Sequence, residues 1–99
     1  MSSIEQWRLI DGFDNYEVSS QGRVRNNKTN RILKPFYNGW VYLIVDLKQK
    51  SIKIHRIVAE AFLENENELP CVDHINQNKK DNRVANLRWA SYSQNGGKR

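Results

Sequence analysis

The sequence predicts an α+β fold: a small N-terminal antiparallel sheet, one amphipathic helix, and then a strand–loop–strand–helix unit. Three observations predict it. Apolar residues alternate through WVYLIVDLK and IKIH, the pattern of half-buried strands. The period changes at HRIVAEAFL, where Ile57, Val58, Ala61 and Phe62 fall on one helical stripe opposite Glu60. Last, VDHINQNKKDNRVANLRW sets two short apolar strands around a long polar loop.

In chain order, WRLIDGFDNYEVSSQGRVRN reads as a short strand, a turn at Asp11-Gly12, and two strand pieces, YEVS and GRVRN. The tract NNKTN, Asn26 to Asn30, is turn chemistry and predicts a hairpin between RVR and RILKPF. In WVYLIVDLK, Val41, Leu43, Val45 and Leu47 share one face, and IKIH returns beside them after QKS. This half reads as a single small sheet. ENENELP ends the helix with polar residues and a proline. CVDH is the next strand, NRVANL holds one helical turn, LRWA is the returning strand, and Ser91 suits the N-cap of a last helix. Trp7, Trp40 and Trp89 are expected in the core and at its margins. The whole, residues 1–99, is expected to be one compact domain: 1–54 the sheet region, 55–68 the helix and connector, 69–99 the final unit.

Composition narrows the partner. At 38% hydrophobic residues the chain is too apolar to be wholly disordered. A net charge of +5 and a pI near 9.6 favour a polyanion. Residues 71–99 hold six bases against two acids, so the excess lies with the Asp-His segment. Cys71 is the only cysteine, which excludes an internal disulfide and a cysteine zinc cage. MSSIEQW has no apolar signal core and no run reaches membrane-span length, so an intracellular, non-secreted protein without a membrane partner is expected.

A histidine beside an aspartate has an ordinary reading in which the ring packs and the acid is solvated. The sequel argues for more. A strand ending in Asp73-His74, a loop, a returning strand and a helix bring Asn95 back toward the first strand. A carboxylate and an amide oxygen then converge as hard donors suited to Mg²⁺ or Mn²⁺. His74, neutral, can take a proton from water.

These residues resemble the HNH endonucleases with the ββα-metal fold, and most closely the HNH homing endonucleases of introns and phages. VDHINQNKKDNRVANLRW followed by SYSQN carries the nuclease motif. WRLIDGFDNYEVSSQGRVRN, RILKP and IHRIVAEAF resemble the module that precedes it in those proteins. The resemblance implies Asp73 as first metal ligand, His74 as general base, and Asn95 as second ligand. Asn86 takes the middle place, where the family uses a side chain to hold the histidine; Asn82 and Asn76 are alternatives ranked below it, as loop turn residues. One Mg²⁺ or Mn²⁺ per active site, and phosphodiester hydrolysis, follow from the resemblance. Relatives with homing activity continue past the last residues of this sequence into a further DNA-binding segment.

Double-stranded DNA is the expected partner. Arg23 and Arg25 alternate on one strand face beside Asn26, Asn27 and Lys28 at a hairpin tip, and a two-stranded ribbon fits the major groove. Lys79, Lys80 and Arg83 flank the site and are expected on phosphates. His55 fits a packing role at least as well as a functional one. One metal and one base per chain imply nicking by a monomer, with a homodimer as the route to cutting both strands. The rival reading is a non-catalytic DNA-binding module that uses the ββα unit as a clamp. An RNA-binding sheet would need paired exposed aromatics on its central strands, which this sequence lacks.

Overall fold

The computed structural model describes residues 4–37 and 42–93. Its first strands are β1 (Trp7–Ile10), β2 (Phe13–Ser19) and β3 (Val24–Asn26), an antiparallel sheet in the order β1-β2-β3. The Asp11-Gly12 turn joins β1 to β2, with Gly12 at φ +86, a conformation that glycine adopts without a Cβ penalty. After β3 the chain reverses through an Asx turn: the Asn26 side-chain oxygen accepts from the Lys28 and Thr29 amides at 2.9 and 3.2 Å. The returning segment makes a single bridge, Ile32 to Arg25, rather than a full strand.

A second antiparallel sheet follows: β4 (Phe36–Tyr37), β5 (Leu43–Leu47) and β6 (Lys50–Lys53). The single sheet expected for the first half is therefore two three-stranded sheets. The alternation of apolar residues does not say which hairpins share hydrogen bonds, and β3 pairs with β2 while β5 pairs with β4 and β6. Lys48 and Gln49, both at positive φ, make the tight β5–β6 turn. Ile44, predicted on the outer face of β5, is buried like Val45 and Leu47, so this strand is covered on both sides. Trp40 and Val41 lie outside the described residues.

Helix α1 (Ile54–Phe62) starts directly after β6 and is the hub of the core. Ile54, Ile57, Val58 and Ala59 are buried, and they join Ile10, Val18 and Val24 of the first sheet, Val45 and Leu47 of the second, and Val72 and Leu87 in one apolar cluster. Ala61 and Phe62 pack at its edge. Burying a side chain of this size contributes roughly 1.5–3 kcal/mol. Val72 and Leu87 belong to a third pair of strands, β7 (Cys71–His74) and β8 (Leu87–Ala90), with a 3₁₀ turn at Val84–Asn86 between them. Trp89 fastens this hairpin to the helix end by donating its indole N–H to the Leu63 carbonyl at 3.1 Å. Tyr92 and Ser93 are helical, in line with a helix beginning after Ser91; Asn95 lies outside the described residues.

Candidate active site and nucleic-acid interface

The β7–β8 register fixes the geometry: Asp73 stands opposite Arg88 and His74 opposite Leu87. Both acid and imidazole are buried, at 6% and 4% exposure. Consecutive strand residues point to opposite faces, so the two side chains leave the strand on different sides. The Asp73 carboxylate accepts twice from Arg88, from Nε at 3.1 Å and Nη2 at 3.0 Å, both on Oδ2. Arg88 itself is half exposed.

The loop after His74 is held almost entirely by asparagine. Asn76 accepts from the Asn78 amide and Asn78 from the Lys80 amide, two successive Asx turns. Asn86 reaches across the loop mouth. Its oxygen accepts from the Asn76 amide at 3.0 Å, and its nitrogen donates to Asn76 Oδ1 and to the Asp81 carbonyl, both at 2.9 Å. Its backbone carbonyl accepts from the Ile75 amide at 2.7 Å.

The expectation for Asn86 therefore needs correction in its geometry. The side chain on the His74 ring is Asn82, whose Oδ1 lies 2.7 Å from Nε2. Asn86 shapes the loop that delivers Asn82. With the amide oxygen facing it, Nε2 carries the ring hydrogen and Nδ1 keeps its lone pair. Asn82 is 5% exposed, unlike an ordinary turn asparagine. Sequence reasoning ranks it low because its loop position looks like turn chemistry, and burial of a loop residue leaves no periodic signal.

Two more rings complete the pocket. Tyr42 stacks on His55 with centroids 4.6 Å apart and planes 20° apart, and its centroid lies 6.0 Å from that of His74. His55 and His74 are 5.0 Å apart and tilted by 41°. Nothing in the sequence singles out Tyr42; it comes from just before β5 and meets the site only through the fold. His55 packs, as one of its two readings had it, but against the candidate base. Burial above all lowers the His74 pKa, with Lys79 adding to the effect and the Asn82 hydrogen bond opposing it. His55 is lowered to about 3, by burial first and then by His74 and nearby cations.

The basic residues divide into two groups. Arg23 pairs with Glu5, Nε to Oε2 at 2.9 Å, and Arg25 with Glu17 at 2.8 Å; both guanidiniums lie over the Trp7 ring. Asn26 is spent on its turn, and Asn27 donates to the Asp14 carbonyl. Arg83 grips Asp81 with two bonds of 2.7 Å and pulls that carboxyl down to about 2. Lys28 is exposed at the hairpin tip. Lys79 and Lys80 are placed differently: their ammonium groups lie 6.0 Å from the Tyr42 ring and 5.8 Å from the Tyr37 ring. They line the approach to His74.

Comparison with known proteins agrees with this arrangement. Residues 5–48 match the NUMOD4 motif and residues 53–96 match the HNH endonuclease model. Two uncharacterized HNH endonucleases of Acanthamoeba polyphaga mimivirus are 38% and 43% identical over 87% and 92% of this chain. The DNA endonuclease I-HmuI of Bacillus phage SP01 is 35% identical over 87% of the chain. A solved structure of DNA binding and cleavage by the HNH homing endonuclease I-HmuI superposes with a TM-score of 0.80 and 31% identity, covering 94% of this chain and 56% of that one. The chain spans about half of I-HmuI and about a quarter of the mimivirus proteins. With both motifs present in order along most of its length, this chain belongs to the HNH homing endonuclease family.

Proposed function

We propose that this chain forms the cutting part of a metal-dependent DNA endonuclease that hydrolyses phosphodiester bonds and nicks as a monomer. The observation that carries the reading is the buried His74–Asn82 pair, adjacent in sequence to the Asp73 carboxylate and approached past Lys79 and Lys80. A general base must be neutral and must present a lone pair. Burial favours the neutral ring, and the Asn82 oxygen assigns the hydrogen to Nε2, leaving Nδ1 to accept.

Asp73 supplies a hard carboxylate donor and Asn95 is the second proposed ligand, a set that fits Mg²⁺ or Mn²⁺ better than Zn²⁺. The chemistry such an ion supplies is charge neutralisation at the phosphate and the leaving 3′-oxygen. A proton of the attacking water goes to His74 as the water oxygen bonds phosphorus. The phosphorus–O3′ bond breaks, leaving 5′-phosphate and 3′-hydroxyl ends. Lys79 and Lys80 hold the strand by its phosphates. One such set per chain makes one cut per binding event.

Supercoiled plasmid tests the reading directly. With Mg²⁺ or Mn²⁺ the protein should convert it to relaxed circles, and EDTA should stop the conversion. DNA binding without any cutting in either ion would favour the non-catalytic module. Undiminished cutting in EDTA would remove the metal from the mechanism.

A further inference from the structure

We infer that the turn between β2 and β3, Ser19 to Arg23, is the positioning element for the His74–Asn82 pair. The N-terminal sheet would thus set the orientation of the proposed base. Asn82 belongs to the stretch 81–83, which lies in no strand or helix, so no ladder fixes its backbone. What meets it is this turn. A Cβ placed on Gly22 would lie 2.9 Å from the Asn82 carbonyl oxygen and 3.0 Å from its Cβ. Two residues on, the Ser20 carbonyl accepts from the Val84 amide at 2.9 Å. The turn thus touches the loop on both sides of Arg83.

The turn is itself rigid, as a positioning element must be. Ser19 is fully buried, and its hydroxyl accepts from the Gln21 and Arg23 amides at 3.1 and 3.0 Å. The Gly22 amide donates to the Ser19 carbonyl at 3.0 Å, and the Ser20 hydroxyl accepts from the Gln6 amide at 3.0 Å. Only glycine satisfies both demands at position 22: φ is +85, and the Asn82 backbone occupies the space a side chain would need. Gly12 provides an internal comparison. Its φ is +86, yet nothing lies within 4 Å of its Cβ position. Alanine carries the same backbone penalty at both sites and displaces Asn82 at only one of them.

The link from turn to ring is independent of the chemistry, whereas its effect on cutting rests on the proposed function. The experiment therefore reads both, in Gly22→Ala, Gly12→Ala and Asn82→Ala. In metal-free protein, ¹⁵N signals of the His74 ring report which nitrogen carries the hydrogen. Gly22→Ala should move them away from the wild-type pattern in the direction of Asn82→Ala, and Gly12→Ala should leave them in place. Single-turnover nicking should fall about 10²-fold in Gly22→Ala, the scale of an ångström-size misplacement of a reacting group, with DNA affinity held. Wild-type ring signals in Gly22→Ala, or equal changes in Gly12→Ala, would overturn the inference.

If Gly22→Ala does not fold, Val84→Pro decides. It deletes the N–H that meets Ser20, at the first position of a helical turn and after an extended Arg83, where proline is tolerated. Folded Val84→Pro with wild-type ring signals would sink the idea. Shifted ring signals in these variants, from a wild type that does not cut DNA, would refute the nuclease reading and uphold the positioning role.

Discussion

His74 is 4% exposed and touches Asn82 and His55, so a mutation there tests packing and chemistry together. His74→Ala should slow nicking by roughly 10²–10⁴-fold, the range for a missing general base. DNA affinity should stay near wild type, because the lysines that face the strand are untouched; gel-shift titration beside single-turnover rates checks this. Affinity falling in step with rate would make His74 a contact residue instead. At this scale the sequence is legible in part. Asp73 and His74 stand out because adjacent acid and imidazole at the end of a strand are uncommon. Asn82 does not, since twelve asparagines dilute any motif built on amides, and only tertiary burial separates the one on the ring from those in the turns.

Strands and helix are readable wherever one face is buried. β7, β8, α1 and the 3₁₀ turn lie within a residue or two of their predicted places because alternation and helical period report burial directly. The division into two sheets is not readable, since it depends on which edges pair. Nor is the engagement of the β3 arginines, because Glu5 and Glu17 reach them only in the folded sheet. That pairing makes a prediction for the elements that meet DNA. Replacing Lys79 and Lys80 by alanine should lower the slope of log affinity against log salt by about 0.9 for each phosphate that is no longer neutralised. The Arg23→Ala, Arg25→Ala double variant should change it by less than the corresponding amount, because acidic partners already neutralise both groups. Affinity measured across salt on matched and scrambled duplexes separates the two. A larger slope change in the arginine variant would mean that these ion pairs open on DNA.

For the molecule as a whole, the cluster of Tyr42, His55 and His74 joins the helix, the approach to β5 and the end of β7, so its protonation bears on global stability. His55 has its folded-state pKa lowered to about 3, below the ordinary value of 6.5. The unfolded chain then binds more protons between these values, so stability is fully present above about 6.5 and declines as pH falls toward 3. Thermal melts across that window should show the decline. His55→Phe keeps a ring in the stack without the titration and should flatten the His55 share of the slope, on the order of a few kcal/mol at most. An unchanged slope in that variant would assign the acid sensitivity to other groups. The Arg88–Asp73 contact bears on a different whole-molecule property, the dependence of folding on the ion. Many small metal-binding folds collapse in chelator because their ligands repel each other once the ion leaves. Here a guanidinium from the facing strand already sits on the carboxylate, a tethered stand-in for the missing cation. The hairpin should accordingly hold its shape through metal removal, with a thermal midpoint in EDTA within about 3 °C of that in Mg²⁺. Arg88→Ala should turn the same protein into one whose midpoint climbs as Mg²⁺ is added, a titration readable by calorimetry without any DNA present.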